Sequence, residues 1–566
     1  MAYRDLQRFL KELEAKNELI KIEVPVSTEL EMTEIADRVS KAHGPALLFS
    51  NVAGYQYPVV MNAMGSEKRM SMALGVNHLD EIGDEIEKYL NFEKYLSIRG
   101  VIGSIPHLLR LIHVFPRKSR LRGACQQVIE RNPDLDTIPV LKCWPLDAGR
   151  FFTLPLVFTK EEKSRRQNVG MYRMQVLDKT STGMHWHKHK DGSEIFQSYA
   201  KAGKKMPVSV ALGCDPAITY ASTSPLPKMI DEMMFAGWLR KSRVKMVKCI
   251  TNDIYVPADA EFVLEGYVDP KEGLVKEGPF GDHTGYYSLA DYYPRFHVTC
   301  ITHKKQPVYP ATIVGKPPME DCYMAKATER IFLPFLRMQI PELVDLNLPL
   351  EGVFHNCAII SIKSHYPGAP RKVMNSVWGM GQMMYTKMIV IVDETVDVQD
   401  LSSVGEIVLK NVRGRESLCF NNGPLDALDH SSDKALYGSR LGIDATKNKL
   451  AEEEGVKSTF TVIQVNKKVD FQGRMALEDY LPTHKEKIVI CVDESVDPGD
   501  LSTVMWKVFN NIDATRDLVI LGQKIGIDAT RKFFTEGLSR DWPEDIVMSK
   551  EMSQAVSERW KEYGID

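Results

Sequence analysis

Gln167-Asn168-Val169-Gly170-Met171-Tyr172-Arg173-Met174-Gln175 alternates like a β-strand, with Val169, Met171 and Arg173 on one side and Asn168, Gly170 and Tyr172 on the other. An arginine inside such an apolar run is paired or reaches solvent at the strand end, because an isolated buried charge is costly. The stretch lies among many short β-rich runs: Thr153 to Thr159, Val169 to Asp178, Pro207 to Leu212, Val244 to Ile250, Glu261 to Val268 and Phe296 to Thr302. Such a density of strands with few helices predicts a barrel or sandwich.

Both flanks differ from this centre. Within Tyr3 to Ala15 the residues Leu6, Phe9, Leu10 and Leu13 follow helical spacing, and Leu19-Ile20-Lys21-Ile22 reads as a strand. Helix and strand alternate to about residue 120, and helices return after about residue 320. The fold class is therefore multidomain α+β and α/β, with regions at 1–120, 121–320 and 321–566. A chain of 566 residues has room for about three domains, each with its own core.

The third region repeats itself. Ile391-Val392-Asp393-Glu394-Thr395-Val396-Asp397 returns as Cys491-Val492-Asp493-Glu494-Ser495-Val496-Asp497, and Gly442-Ile443-Asp444-Ala445-Thr446 returns as Gly526-Ile527-Asp528-Ala529-Thr530. The spacing within the first copy is longer, which places an insertion around Gly423 to Tyr437. Two copies are too few for a solenoid, so the repeat, about 387–446 and 487–530, reads as a duplicated strand-helix unit.

Lys plus Arg number 72 against 75 Asp plus Glu, a formal charge of -3, and no basic stripe speaks for nucleic acid. The N-terminus carries acids and lacks the apolar centre of a signal peptide, and no segment approaches a transmembrane span, so a cytoplasmic enzyme is expected. The nine cysteines are scattered, without the close pairs of a zinc or redox site. No P-loop, GxSxG elbow, HExxH helix or strand-linked GxGxxG occurs.

Several stretches carry chemistry, each with a plain alternative. His185-Trp186-His187-Lys188-His189 puts three histidines on one face if extended, as metal ligands or as a polar strand face. The loop Ala221 to Pro227 leads into a helix expected from Met229 to Arg240, where Asp231 and Glu232 suit the dipole as caps. Glu277-Gly278-Pro279-Phe280-Gly281-Asp282-His283-Thr284-Gly285-Tyr286-Tyr287 holds two carboxylates on a constrained loop, where one can be protonated and the other ionised, as proton transfer requires; it can equally be a turn. Lys387 heads the first repeated strand and alone reads as a surface lysine.

Taken together, NVGMYRMQ, the WxxHKDG run, FAGWLR, EGPFGDHTGYY, MMYTK and LGIDAT resemble, in order, the UbiD family of prenylated-flavin-dependent decarboxylases, of which 3-octaprenyl-4-hydroxybenzoate decarboxylase is one type. The resemblance runs from the first helix to about residue 450 and resumes at Trp542-Pro543. It implies an N-terminal α/β domain, a central flavin-binding split β-barrel and a C-terminal α/β oligomerisation domain. It implies prenylated FMN with manganese at Asn168, His189 and Glu232, and potassium beside Ala221, Ser222 and Ser224. Flavin contacts would come from Met171, Tyr172, Arg173, His185, Trp186, His187, Lys190, Asp191 and Lys387. The catalytic trio maps to Arg173, Glu277 and Asp282, with Arg173 paired to Glu277 and Asp282 as general acid.

Many relatives carry Arg-Trp-Leu where this chain has His185-Trp186-His187, and Arg-Gly where it has Lys190-Asp191, so flavin contacts there can differ. The implied reaction is non-oxidative, reversible decarboxylation of an aromatic or α,β-unsaturated acid through a covalent cofactor adduct, with a hydroxylated ring acid of ubiquinone or menaquinone biosynthesis as one substrate. Implied partners are that acid, CO2, a flavin prenyltransferase that supplies the cofactor, and further copies in a dimer or hexamer. The alternatives are carboxylation in anaerobic aromatic degradation, a non-catalytic subunit of a larger carboxylase, and a zinc hydrolase built on His185, His187 and His189.

Overall fold

In a computed structural model of the chain, which describes residues 3–90, 114–186, 191–227, 230–447, 451 and 453–565, Asp5 sets the start of the first helix. Its carboxylate accepts from the Arg8 backbone N–H at 3.0 Å, so the helix runs Leu6–Ala15 and not from Tyr3; it buries Leu6, Phe9, Leu10 and Leu13. The strand Leu19–Ile22 pairs in parallel with Ala46–Phe49, which Val59–Met61 and then Tyr309–Pro310 extend. The chain forms two units, residues 1–328 with 545–566, and residues 329–544. The tail, expected with the third region, joins the first unit instead. Its helix Lys550–Arg559 meets Glu31–Lys41, where Arg559 pairs with Glu31 and the Tyr563 hydroxyl donates to the same carboxylate at 2.8 Å.

The centre of the first unit is a nine-stranded sheet: β1 Val128–Glu130, β2 Phe151–Phe152, β3 Leu156–Lys160, β4 Gln167–Met171, β5 Met174–Asp178, β6 Ser181–Gly183, β7 Met206–Leu212, β8 Phe262–Val268 and β9 Arg295–His303. Every pairing is antiparallel, in the order β2-β5-β6-β9-β8-β7-β3-β4, with β1 on β9. The row does not close, which makes a split barrel. The single strand read across 167–175 is in fact two. β4 ends the row on one side, β5 lies near the other, and Tyr172 and Arg173 carry the chain across the gap. Helix α1, Glu232–Arg240, starts about one turn later than the expected Met229, because the Asp231 carboxylate caps it by accepting from Met233 and Met234. Met233 and Ala236 of α1 share one core with Phe158 and Val169.

The second unit is the duplication. One sheet runs β10 Leu343–Asn347, β11 Cys357–Ile362, β12 Met388–Asp393, β14 Tyr437–Asp444, β13 Leu418–Pro424, with helices α2 Ala369–Trp378 and α3 Leu401–Asn411. The other runs β15 Lys457–Val465, β16 Glu486–Asp493, β18 Lys524–Asp528, β17 Leu518–Leu521, with α4 Gln472–Thr483 and α5 Leu501–Asn511. The repeat thus begins earlier than the sequence match, at β11 and β15, and among the described strands only β10 has no counterpart.

The shared Asp-Ala-Thr motif has a local cause. Thr446 Oγ1 donates to Asp444 and Thr530 Oγ1 to Asp528, each at 2.6 Å, while Asn411 Nδ2 holds the Ala445 carbonyl and Asn511 Nδ2 the Ala529 carbonyl, each at 2.9 Å. The two copies share one apolar core containing Val392, Val404, Val492 and Val504. They also exchange lysines. Lys387 Nζ donates to the Asn510 carbonyl at 3.2 Å, and its equivalent Lys487 donates to the Leu409 carbonyl at 2.6 Å, so each reaches the C-terminal end of the other copy's helix, where a cation suits the exposed carbonyls.

The insertion between β13 and β14 breaks this symmetry by laying Asp429 against Lys387 at 2.8 Å. Asp429→Ala leaves a buried ammonium without its counter-charge and should lower unfolding stability by about 3–5 kcal/mol. Lys487→Met, which strands a carbonyl, should cost about 1–3 kcal/mol. Denaturant titration of the purified chain measures both; a loss below about 1 kcal/mol for Asp429→Ala would remove the pair from the account.

Candidate active site

Arg173 stands where the chain crosses the gap in the barrel, and two short hairpins bring acids to it. Val275–Glu277 pairs with Asp291–Tyr293, and Phe280–Gly281 pairs with Tyr287–Ser288, so the loop that carries Asp282 is framed by short strand pairs. Gly278 joins the hairpins at φ +87°, a conformation that side-chain-bearing residues rarely adopt. Gly281 is required for space: a Cβ there would fall 2.4 Å from Trp144. Asp147 fixes that hairpin by accepting from the Gly281 backbone N–H at 2.7 Å and from Trp144 at 2.9 Å.

The guanidinium forks across both acids. Nε donates to Glu277 Oε1 at 2.9 Å and Nη2 to Oε2 at 3.2 Å; Nη1 pairs with Asp282 Oδ2; Nη2 also reaches Ser288 Oγ at 3.0 Å. The ring of Phe280 lies 4.6 Å beneath it. His185 Nδ1 lies 3.0 Å from Glu277 Oε2, and His283 holds Asp282 Oδ1 through its backbone N–H at 2.8 Å and its ring at 3.0 Å.

Glu277 is fully buried, which pushes its carboxyl up, yet the bond from His185 and the charge of Arg173 outweigh burial and hold it down at about 2. Burial acts the same way on Asp282, and there Arg173 and His283 together bring the carboxyl well below the usual range. Burial and the neighbouring Arg173 lower His185, so its ring is neutral and donates to Glu277. With these partners both acids are anions at neutral pH, and neither holds a proton to give.

A second feature lies along β4. Asn168, Asp231 and Glu232 line a cavity of about 430 Å³ whose rim carries Lys118, Lys160, Arg165 and Arg166. Glu232 Oε2 accepts weakly from the Val169 N–H at 3.5 Å. Burial, with the Asp231 charge beside it, raises Glu232 to about 7. The amide oxygen of Asn168 and the carboxylate of Glu232 are donors of the kind a hard divalent cation takes, and such a cation would return Glu232 to its anionic form. Ala221 closes the helix Pro216–Ala221, and the Ser222 hydroxyl donates back to the Thr219 carbonyl at 2.7 Å, so this helix end, with Ser224, offers oxygens. Tyr172, pushed up to about 12 by burial, accepts from the Gly192 backbone. The buried indole N–H of Trp186 finds no acceptor among the described residues, and a Cβ on Gly192 would fall 2.7 Å from it. That orphaned donor beside a glycine fits a bound planar, acceptor-rich group such as a flavin.

Arg173, Glu277, Asp282 and His185 thus meet directly, and Asn168 and Glu232 share the cavity. Met171 and Asp191 flank these features in chain, at the end of β4 and the start of the helix Asp191–Ala202. His187, His189 and Lys190 lie outside the described residues. Lys387 belongs to the second unit, buried, with Asp429, Ser431 and Asn510 accepting from all the protons its ammonium has; a further contact requires one to be given up. Sequence reasoning missed Asp147, Ser288 and the role of His283. Asp147 sits in an unremarkable Pro-Leu-Asp-Ala-Gly turn, and only its burial, which raises it to about 6, marks it out.

A buried arginine gripping two carboxylates at the gap of a split barrel is an arrangement suited to handling a substrate carboxylate, the work of a carboxy-lyase. Family models for 3-octaprenyl-4-hydroxybenzoate carboxy-lyase match the chain throughout: the N-terminal domain at residues 10–86, the Rift-related domain at 117–317 and the C-terminal domain at 322–445 and 448–530. The chain belongs to the UbiD family and is a carboxy-lyase. An uncharacterized protein of Archaeoglobus fulgidus is 50% identical over 79% of this chain and 92% of its own, and one of Aquifex aeolicus is 43% identical over 82% and 96%. Among solved structures, the vanillic acid decarboxylase of Sedimentibacter hydroxybenzoicus in closed form aligns with a TM-score of 0.70 at 24% identity, covering 86% of this chain and 100% of that one; this likeness is one of fold. The UbiD-class enzyme HmfF of Pelotomaculum thermopropionicum, in complex with FMN, aligns at 0.68 with 25% identity, covering 84% and 100%.

The depressed Glu277 predicts an acid limb in stability. Its carboxyl falls from 4.5 to about 2 on folding, so its contribution is complete above about pH 4.5 and is lost as pH drops towards about 2. Glu277→Gln should flatten the fall in melting temperature across that window. An unchanged slope would mean that Glu277 is not held as an anion.

Proposed function

We propose that the chain carries out non-oxidative, reversible decarboxylation of an aromatic or α,β-unsaturated acid with prenylated FMN, Mn²⁺ and K⁺. The observation that carries this is the one guanidinium shared by two anionic carboxylates. The metal would sit on Asn168, Glu232 and His189, the monovalent ion near Ala221, Ser222 and Ser224, and the flavin against Met171, Tyr172, His185, Trp186, His187, Lys190 and Asp191, with Lys387 a further contact. The FMN bound by HmfF supports a flavin. When bound, the prenylated ring supplies the electron sink for the pair left as CO2 departs. A three-region division, with the cofactor on the central one, belongs to the same proposal, as do a flavin prenyltransferase as supplier, a cytoplasmic setting and a dimer or hexamer. No described helix is long and apolar enough to cross a membrane.

The residues of this chain divide the remaining work. Glu277 takes two contacts from Arg173 and one from His185 and so keeps its place. Asp282 has a single contact to Arg173, and an entering substrate carboxylate competes for that position. As Asp282 loses the guanidinium, its affinity for a proton rises, and Oδ2 takes one up. When CO2 leaves, Arg173 is free to attract Asp282 again, which lowers its affinity and drives the proton onto the product carbon. The balance is one carboxylate and one proton in, one C–H bond and one CO2 out. Run backwards, the same cycle carboxylates, and the quinone-precursor acids stand within this substrate class.

Purification without oxygen after co-expression with a flavin prenyltransferase should give a flavin-like absorption band, about one manganese per chain, and CO2 release from members of a hydroxyarenecarboxylate panel. A colourless, zinc-loaded protein would overturn the assignment. Glu277→Gln should retain the chromophore and lose about 10²–10⁴-fold in kcat. Glu232→Ala should lose metal and chromophore together; undiminished occupancy would remove it as a ligand.

A further inference from the structure

The chain re-enters the first unit at Asp545, and it does so against the loop that carries Asp282. That loop, residues 282–286, is closed by only two strand pairs, Phe280 with Ser288 and Gly281 with Tyr287, too short a ladder to fix it alone. Inside it the Gly285 N–H donates to the Asp282 carbonyl at 3.0 Å, and the Asp282 N–H donates to the Tyr286 carbonyl at 3.1 Å. The returning chain adds to these bonds: Asp545 bridges antiparallel to Tyr286, and the Ile546 N–H donates to the Gly285 carbonyl at 2.9 Å. Ile546 is half-buried between exposed Asp545 and Val547, and its Cδ1 lies against Gly281, 3.1 Å from where a Cβ there would stand. The last helix holds Ile546 in turn. Only Val547, Met548 and Ser549 separate it from Lys550–Arg559, which Ser549 caps by accepting from the Met552 N–H at 3.2 Å. Arg38 of Glu31–Lys41 ties that helix down by donating to the Ser553 carbonyl at 2.7 Å and the Ser557 hydroxyl at 3.0 Å, and Arg559 donates to the Pro25 carbonyl at 3.0 Å.

We propose that Ile546 is a positioning residue for Asp282: through Gly285 it holds the acid-bearing loop where Asp282 meets Arg173 and, on the reaction proposed above, from which this role follows, returns its proton to the product carbon. The base of the same hairpin is already gripped, because Asp147 accepts from the Gly281 N–H at 2.7 Å and the Ala148 N–H donates to the Pro279 carbonyl at 2.9 Å. The tail therefore fixes what the base leaves loose, the far end of the loop. That end matters because Asp282 meets Arg173 through a single contact, and proton transfer tolerates little displacement of the acid. Among the described residues no strand of the nine-stranded sheet pairs with the tail, so its release loosens the loop and not the barrel.

Hydrogen exchange of the full chain, read without cofactor or substrate, tests the strap. Ile546→Pro removes the donor, and the amides of the peptide spanning 282–287 should exchange about ten-fold faster, while those of Phe262–Val268 and Glu31–Lys41 keep their rates. The carboxyl midpoint of Asp282 should rise, because the loop no longer holds it against Arg173 and His283. In the cofactor-loaded enzyme kcat should fall about 10–100-fold, with KM and flavin absorption within about two-fold of the parent. Should Ile546→Pro not fold, Ile546→Gly carries the test: it keeps the N–H, frees the segment and withdraws the side chain from Gly281, and the same peptide should exchange about three-fold faster. Unchanged exchange at 282–287, faster exchange across Phe262–Val268 as well, or a kcat that stays at the parent's value would each overturn the proposal. A loop that loosens in a chain whose parent releases no CO2 faults the reaction and not the strap; an active parent with unchanged loop exchange faults the strap and not the reaction.

Discussion

A buried guanidinium has to be neutralised, and in this chain the barrel gap, the two hairpins and their glycines all serve the pairing of Arg173 with Glu277 and Asp282. One cation between two anions leaves a net negative centre in a low-dielectric setting, which persists because hydrogen bonds from His185 and His283 share the charge. The same imbalance gives the centre its use. In the proposed cycle a third carboxylate reaches the guanidinium by displacing one of the two, and Asp282, with one bond to Arg173 against two for Glu277, is the one that yields.

The second unit obeys a different constraint. Two sheets of like topology must bury the same helix faces, and packing copy on copy buries both in one core. The reciprocal reach of Lys387 and Lys487 to the other copy's helix end follows from that arrangement. Where the first copy departs from symmetry it does so at two places: the insertion that brings Asp429 to Lys387, and β10, which has no counterpart among the described strands of the second copy.

Much of this was legible in the residues. The β-rich centre, the flanking α/β regions and the repeat came from periodicity and from self-similarity, which are local properties. The carboxylate-bearing stretch stood out because Gly and Pro surround its acids. What was not legible depends on pairing between distant segments. Nothing local in Gln167 to Gln175 says that the strand breaks at Tyr172, since the break is imposed by β4 and β5 joining opposite sides of the row. Asp147 carries no motif and is defined only by the hairpin it holds. The repeat was underestimated because β11 and β15 share a fold position while their sequences, CAIISI and KSTFTVIQV, have diverged.

The central claim is that Arg173 keeps Glu277 and Asp282 ionised until a substrate carboxylate takes its place. The most direct measurement is a ¹³C NMR titration of the carboxyl carbons, assigned by the resonances lost in Glu277→Gln and Asp282→Asn, with and without a non-reactive aromatic carboxylate. The account predicts that both acids remain anions down to about pH 4.5 in the free chain, and that the ligand raises the midpoint of Asp282 while leaving Glu277 in place. A free chain in which either acid titrates near neutrality, or a ligand that moves Glu277 and not Asp282, would contradict it.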